Sequence, residues 1–173
     1  HKNERDVSTK LVSVEEIDTE GRDLAEKIKY YIKQAIEQWD ITSVLLVGGH
    51  RSFLGFNQPK LQIPLRFVDL DDTGEPGYVS DVYYSDIYAY DDESENPVFS
   101  SWDTDNDGKY GEWYYVSDVV TDKQDEVDLI PDVHLGRWAC RTENEAAIMV
   151  NKVIDYENTP YADEDWFKKM IVL

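Results

Sequence analysis

The chain has one cysteine in 173 residues, Cys140. No intrachain disulfide can form, so the fold must hold by packing, polar contacts or bound ions. Basic residues are also scarce: 17 Lys and Arg stand against 37 Asp and Glu, for a formal charge of -20. Such a field repels phosphate backbones, which argues against a nucleic-acid partner. It equally disfavours anionic membrane surfaces. No apolar run is long enough to span a bilayer, and no secretory leader pattern is visible. There are three histidines, which leaves few routes to imidazole chemistry or to a zinc site.

Hydrophobic residues still make up 41% and aromatics 13%, enough to build the core of one α/β domain. Residues 10–17 alternate and predict a strand. Residues 20–39 predict an amphipathic helix with Leu24, Ile28, Tyr31, Ile32, Ala35, Ile36 and Trp39 on one face. Lys27, Lys29, Lys33 and Glu37 fall largely off that face. Residues 43–49 form an apolar run closed by two glycines, as in a strand buried on both faces of a parallel sheet. The strand–helix–strand order predicts a mainly parallel α/β sheet flanked by helices.

Residues 61–70 are extended and interrupted by Pro64. Residues 71–112 have no helical period and are rich in Asp, Tyr, Gly and Ser. That is a long insertion for an idle loop, so an ordering element is expected within it. Residues 132–139 predict a further strand. Thr142 followed by Glu145 is a capping-box pattern that opens a helix ending near 156–158. Ala146, Ala147, Met149, Val150, Val153 and Ile154 are its expected buried face. Residues 168–173 begin another strand. The expected organisation is therefore one α/β unit over 1–167, with 168–173 opening the next. Such an ending suggests a piece of a longer or processed protein.

The sharpest motif is Asp103-Thr104-Asp105-Asn106-Asp107-Gly108. Alternate aspartates turn oxygens toward one centre and Gly108 allows the bend, which suits the six to eight hard oxygen ligands of calcium. An EF-hand would need its bidentate Glu at position 114, where Tyr114 stands, and no helical pattern flanks the loop. The expected ligands are Asp103, Asp105, Asp107, the Lys109 carbonyl and Glu112. The alternative is a solvated Asp-rich turn. Asp69, Asp71 and Asp72, with Asp91 and Asp92, read as solvated loop charges.

Cys140 with His134 or His50 is the only conceivable nucleophile–base combination. His134 lies mid-strand, six residues earlier, and a lone cysteine at a strand end reads as a small buried residue. Gly48-Gly49-His50 lacks the further glycines of a dinucleotide fingerprint and reads as a tight turn.

Several segments in order resemble the gingipain family of cysteine peptidases. They are residues 21–28 leading into Ile41-Thr42-Ser43-Val44-Leu45-Leu46-Val47-Gly48-Gly49, then Ser80-Asp81-Val82-Tyr83-Tyr84-Ser85-Asp86. Next come Trp102 to Glu112, and Asp128-Leu129-Ile130-Pro131-Asp132-Val133-His134-Leu135-Gly136-Arg137 with the helix after Thr142. The usual Gly-Arg-x-Pro stretch of the family reads Gly136-Arg137-Trp138-Ala139 here. The resemblance implies a caspase-like subdomain that lies N-terminal to the one carrying the catalytic His and Cys. No residue of this chain matches that catalytic motif, so the resemblance assigns none. It implies a secreted or cell-surface endopeptidase, whose partners would be its own catalytic subdomain and peptide substrates. The rival reading is a free-standing calcium-dependent binding or adhesion domain.

Overall fold

The computed structural model describes residues 1–49, 61–68, 77–90, 96–116, 119–123, 125 and 127–159. Helix α1 spans Leu24–Trp39. Asp23 caps it: its carboxylate accepts the Glu26 N–H at 2.8 Å, satisfying a donor that the helix leaves unpaired. At the other end Asp40 takes a left-handed conformation and its N–H bonds the Ile36 carbonyl, a helix-terminating geometry. The inward stripe is Ala25, Ile28, Ile32 and Ala35. Leu24 and Trp39, expected on that stripe, are exposed.

The larger departure is Lys29. Assigned by periodicity to the outer side, it is 0% exposed. Its ammonium donates to the Tyr83 carbonyl at 2.9 Å and the Asp86 carbonyl at 2.5 Å. It lies 4.5 Å from the Tyr83 ring centroid and 5.4 Å from that of Trp102. Backbone oxygens and aromatic faces thus replace water around the charge.

Strand β1 (Ser43–Val47) is the next element. Strands β2 (Phe67–Val68) and β3 (Tyr78–Val79) form an antiparallel pair, as do β4 (Tyr88–Ala89) and β5 (Val98–Phe99). So do β6 (Trp113–Val116) and β7 (Val119–Lys123), with a bulge between Tyr114 and Tyr115. Strand β8 (His134–Trp138) pairs with β1 in parallel, Ser43 facing His134 and Val47 facing Trp138. Helix α2 (Glu143–Asn158) follows, capped by Thr142. Two helices, one parallel pair and three antiparallel pairs among the described residues are compatible with an α/β fold, but the strand pairing there is mainly antiparallel and not mainly parallel as expected. None of the described helices is long and apolar enough to cross a membrane.

Three expectations need correction. Residues 10–17 form no strand: Val14–Glu16 is a short 3-10 turn. The Glu16 carboxylate accepts the Ser13 N–H at 2.8 Å, and the Glu16 N–H returns to the Ser13 carbonyl at 3.1 Å. That reciprocal local closure competes successfully with extended pairing. Strand β1 is not buried on both faces, since Leu45 is 48% exposed while Leu46 is inside. Helix α2 has no buried residue, and Val150 is exposed. Its polar contacts run instead to the N-terminal arm, where His1 and Lys2 meet the Glu157 carboxylate and Arg5 meets Asn158. The expected strand at 168–173 lies outside the described residues.

The stretch read as a loop from 71 to 112 supplies β3, β4, β5 and much of the core. Tyr83, Tyr84, Ile87, Trp102 and Tyr110 are all buried with Ile28 and Ile32 of α1. Tyr83 meets Tyr84, Trp102 and Tyr110 edge-on, with centroids 5.2–5.8 Å apart, the arrangement that ring quadrupoles favour.

Arg137 of β8 locks the sheet to this cluster. It forks onto Asp81 at 2.6 and 2.7 Å. Its remaining donors reach the carbonyls of Gly48, Ile63 and Pro64 at 3.1–3.2 Å. Gly48 is required at that crossing, because a Cβ there would stand 2.8 Å from the Ile63 side chain and 2.9 Å from its backbone nitrogen.

Replacing Lys29 by Ala strands two carbonyls and leaves the buried Asp86 without its nearest cation. We expect a loss of about 3–5 kcal/mol, measured by urea denaturation. A loss no greater than that of an exposed Lys→Ala control would refute the interior role of this cation.

Candidate functional site

The Asp loop turns where its sequence dictates. Asn106 and Gly108 both have positive φ, 63° and 88°, and a left-handed position is where glycine costs least. Asp105 accepts the Asp107 N–H at 3.1 Å, and Asp107 accepts the Lys109 N–H at 2.8 Å. These local turns leave the carboxylates close together. Oxygens of Asp105, Asp107 and Glu112 lie within 4.8 Å of one another. Oxygens of Asp103, Asp105 and Asp125 form a second group at the same spacing.

Asp125 was missed by sequence reasoning. It stands beyond β7, outside the motif, and no spacing rule reaches across the β6–β7 hairpin. Its Oδ1 accepts the Thr104 N–H at 2.7 Å and its Oδ2 accepts the Glu112 N–H at 2.9 Å. The carboxylate thereby clamps both ends of the loop. Burial pushes its pKa up, and the charges of Asp103 and Asp105 add to the shift. The signal in the sequence was only its acidity, shared with 36 other residues.

Two cations serve this acidic region. Lys109 reaches Glu112 at 2.8 Å and Asp107 at 3.3 Å. These contacts, with the Glu112 bond foremost, raise the Lys109 pKa. Arg22 bonds Glu26 at 2.9 Å and also pairs with Asp103. Even so, Asp103 Oδ1 and Glu112 Oε2 are buried and accept no hydrogen bond. A buried carboxylate oxygen without a donor is costly, and a hard cation is the partner that would satisfy several such oxygens together. The four carboxylates expected as ligands fall in two groups that share Asp105, and Asp125 joins Asp103 and Asp105 in one of them.

Arg66 extends the network. It grips Asp23 with two bonds at 2.8 and 2.9 Å and lies 3.8 Å from the Tyr110 ring centroid. Burial alone would raise the Asp23 pKa, but the Arg66 and Glu26 hydrogen bonds outweigh it and hold the carboxyl below its ordinary value. For Glu26 burial likewise opposes the shift, and the Arg22 contacts prevail to lower the pKa.

The nucleophile–base candidates do not assemble among the described residues. His134 opens β8 and is exposed, whereas Cys140 is buried past its far end. The extended strand His134–Trp138 alone puts roughly 13 Å between His134 and the end that leads to Cys140. The Gly48 N–H bonds the Trp138 carbonyl at 2.9 Å and the Gly49 N–H bonds the Cys140 carbonyl at 2.8 Å, so the two glycines carry the β1–β8 pairing onward instead of forming the expected tight turn. A cavity of about 310 Å³ beside Cys140 is bounded by Trp138, Glu145 and Met149. His50, Asp69, Asp71, Asp72, Asp91 and Asp92 lie outside the described residues.

The model of peptidase family C25 matches the chain over residues 1–173. No curated protein matches it, and neither does any solved structure.

The lowered pKa values of Asp23 and Glu26 have a fixed sign. A carboxyl whose folded pKa is depressed adds stability that is present above the unfolded value and lost as pH falls through the folded one. In chelator, the melting midpoint should hold near neutrality and fall below about pH 4. Arg66→Met should lower the midpoint at pH 7 and flatten the acid limb. An acid limb unchanged in Arg66→Met would contradict the assignment.

Proposed function

The chain belongs to peptidase family C25, the gingipain family of cysteine peptidases, and on that premise we propose that it is the N-terminal, non-catalytic subdomain of a secreted endopeptidase. The match along all 173 residues carries this reading. The parent is a cysteine peptidase, in which a thiolate attacks the peptide carbonyl and an imidazole manages the proton. Thiolate and imidazole come from a second subdomain, outside these residues. The separation of exposed His134 from buried Cys140 supports that division.

The role of this half is to brace its catalytic neighbour. The parallel β1–β8 pair, locked by Arg137 through Asp81, Gly48 and Ile63, supports a caspase-like subdomain in which the carboxyl ends of parallel strands face the site. The partners are the catalytic subdomain and the peptide substrate. The charge of -20 argues against nucleic acid and anionic membrane. It suits an extracellular setting, where calcium is abundant and a fold without disulfides gains from it.

Calcium is the structural cofactor in this reading, held by Asp103, Asp105, Asp107, the Lys109 carbonyl and Glu112. The observation behind it is the pair of buried, undonated oxygens on Asp103 and Glu112. The oxygen-only donor set and the flexible ring suit calcium better than magnesium. The ion would neutralise the carboxylates and hold the turn; it takes no part in peptide cleavage.

Two measurements test the proposal. The purified 173-residue chain should cleave nothing in a mixed peptide library. Turnover abolished by Cys140→Ala would place the nucleophile here instead. Thermal melts should rise with calcium and fall with chelator, by a margin equivalent to about 2.7 kcal/mol at a hundredfold excess over Kd. A midpoint indifferent to calcium, with calorimetric heats unchanged in Asp105→Ala, would reduce the loop to a solvated turn.

A further inference from the structure

We infer that Asp125 is a ligand of the same cation, so that the ion closes the β6–β7 hairpin onto the Asp loop rather than ordering the loop alone. This rests on the calcium reading above and extends it to a second element. Asp103 is 1% exposed and Asp125 is 2% exposed. They are 22 positions apart, with all of β6 and β7 between them.

Geometry supports a shared ion. The oxygens of Asp103, Asp105 and Asp125 stand within 4.8 Å of one another. Ligands at about 2.3–2.6 Å from calcium can be up to about 5 Å apart across it. The Asp125 carboxylate is held in place by the Thr104 and Glu112 N–H groups, and Thr104 Oγ1 donates to the Asp125 carbonyl at 3.0 Å. Each of its carboxylate oxygens accepts one hydrogen bond from these groups, and each has a further lone pair for a metal.

Charge supports it independently. Lys109 serves Asp107 and Glu112. In the remaining group, Asp103, Asp105 and Asp125, Asp103 pairs with Arg22, which is shared with Glu26. Among the described side chains, three carboxylates face one shared guanidinium. Asp103 Oδ1 is buried there without a donor. One divalent cation supplies both the missing charge and the missing partner.

The consequence is mechanical. An ion confined to residues 103–112 would order one turn. An ion that also binds Asp125 fastens both ends of the hairpin, so β6 and β7 gain protection when it binds. Hydrogen exchange followed by mass spectrometry on the full-length protein, in calcium and in EGTA, separates the two. Calcium should slow exchange in residues 103–112 and in the β6 and β7 amides. In Asp125→Asn, which keeps an oxygen to accept a backbone N–H, the hairpin effect should vanish. The calcium concentration needed to protect 103–112 should rise about tenfold. Protection confined to 103–112 in the wild type would overturn the inference and leave the calcium reading standing. An unchanged hairpin effect in folded Asp125→Asn would also overturn it. Exchange indifferent to calcium in both segments would remove the calcium reading itself. Because the wild-type comparison needs no variant, failure of Asp125→Asn to fold would not spare the inference.

Discussion

The ammonium of Lys29 sits wholly inside the protein, and the packing of its centre depends on that charge being satisfied. A buried cation must find oxygens or aromatic faces in place of water. Lys29 finds the carbonyls of Tyr83 and Asp86 and the rings of Tyr83 and Trp102. Burial pushes its pKa down and that of Asp86 up, while each charge favours the other's ionised form. Helix α1 is thereby fixed against the turn at 82–86 by directional bonds as well as by apolar contact. Asp86 in turn accepts the Leu129 N–H at 3.1 Å, which carries the constraint to the segment entering β8.

The same logic recurs around the molecule. In a chain with 37 acids and 17 bases, each well-placed cation becomes an attachment point for acid-rich chain. Arg137 holds Asp81, Arg66 holds Asp23, and Arg22 divides itself between Glu26 and Asp103. Asp132 works in the opposite sense, its Oδ2 accepting the N–H groups of Ile87 and Tyr88 at 2.6 and 2.9 Å. Stretches lacking regular periodicity are ordered by such contacts and by buried tyrosines. At the Asp loop, five carboxylates stand against two cations among the described side chains, Lys109 and Arg22.

The buried aromatic cluster and the Asp loop are joined within the chain. Trp102 links them. It is buried beside Tyr83, its ring faces the Lys29 ammonium, and its carbonyl accepts the Gly111 N–H at 2.8 Å. Asp103 follows it directly, so the position of the first loop carboxylate is set by how the core packs.

Periodic and local signals were legible in the sequence. The stripe of α1, the cap at Thr142, the bend at Gly108, the apolar run of β1 and the Asp-x-Asp-x-Asp-Gly spacing each depend on neighbours within a few residues, where backbone geometry leaves few options. The family resemblance rested on the same kind of ordered local pattern. Residues 10–17 show the limit even there, because alternation predicted a strand and a Ser13–Glu16 closure made a turn. What tertiary structure decided was which polar groups went inside. Lys29 and Asp125 look like any other surface charge in the sequence. They are buried because chain from 54 or 57 residues away brings carbonyls to one, and chain from 13 or 21 residues away brings N–H groups to the other. Desolvation is tolerated only where such partners converge, and convergence is a property of the folded chain.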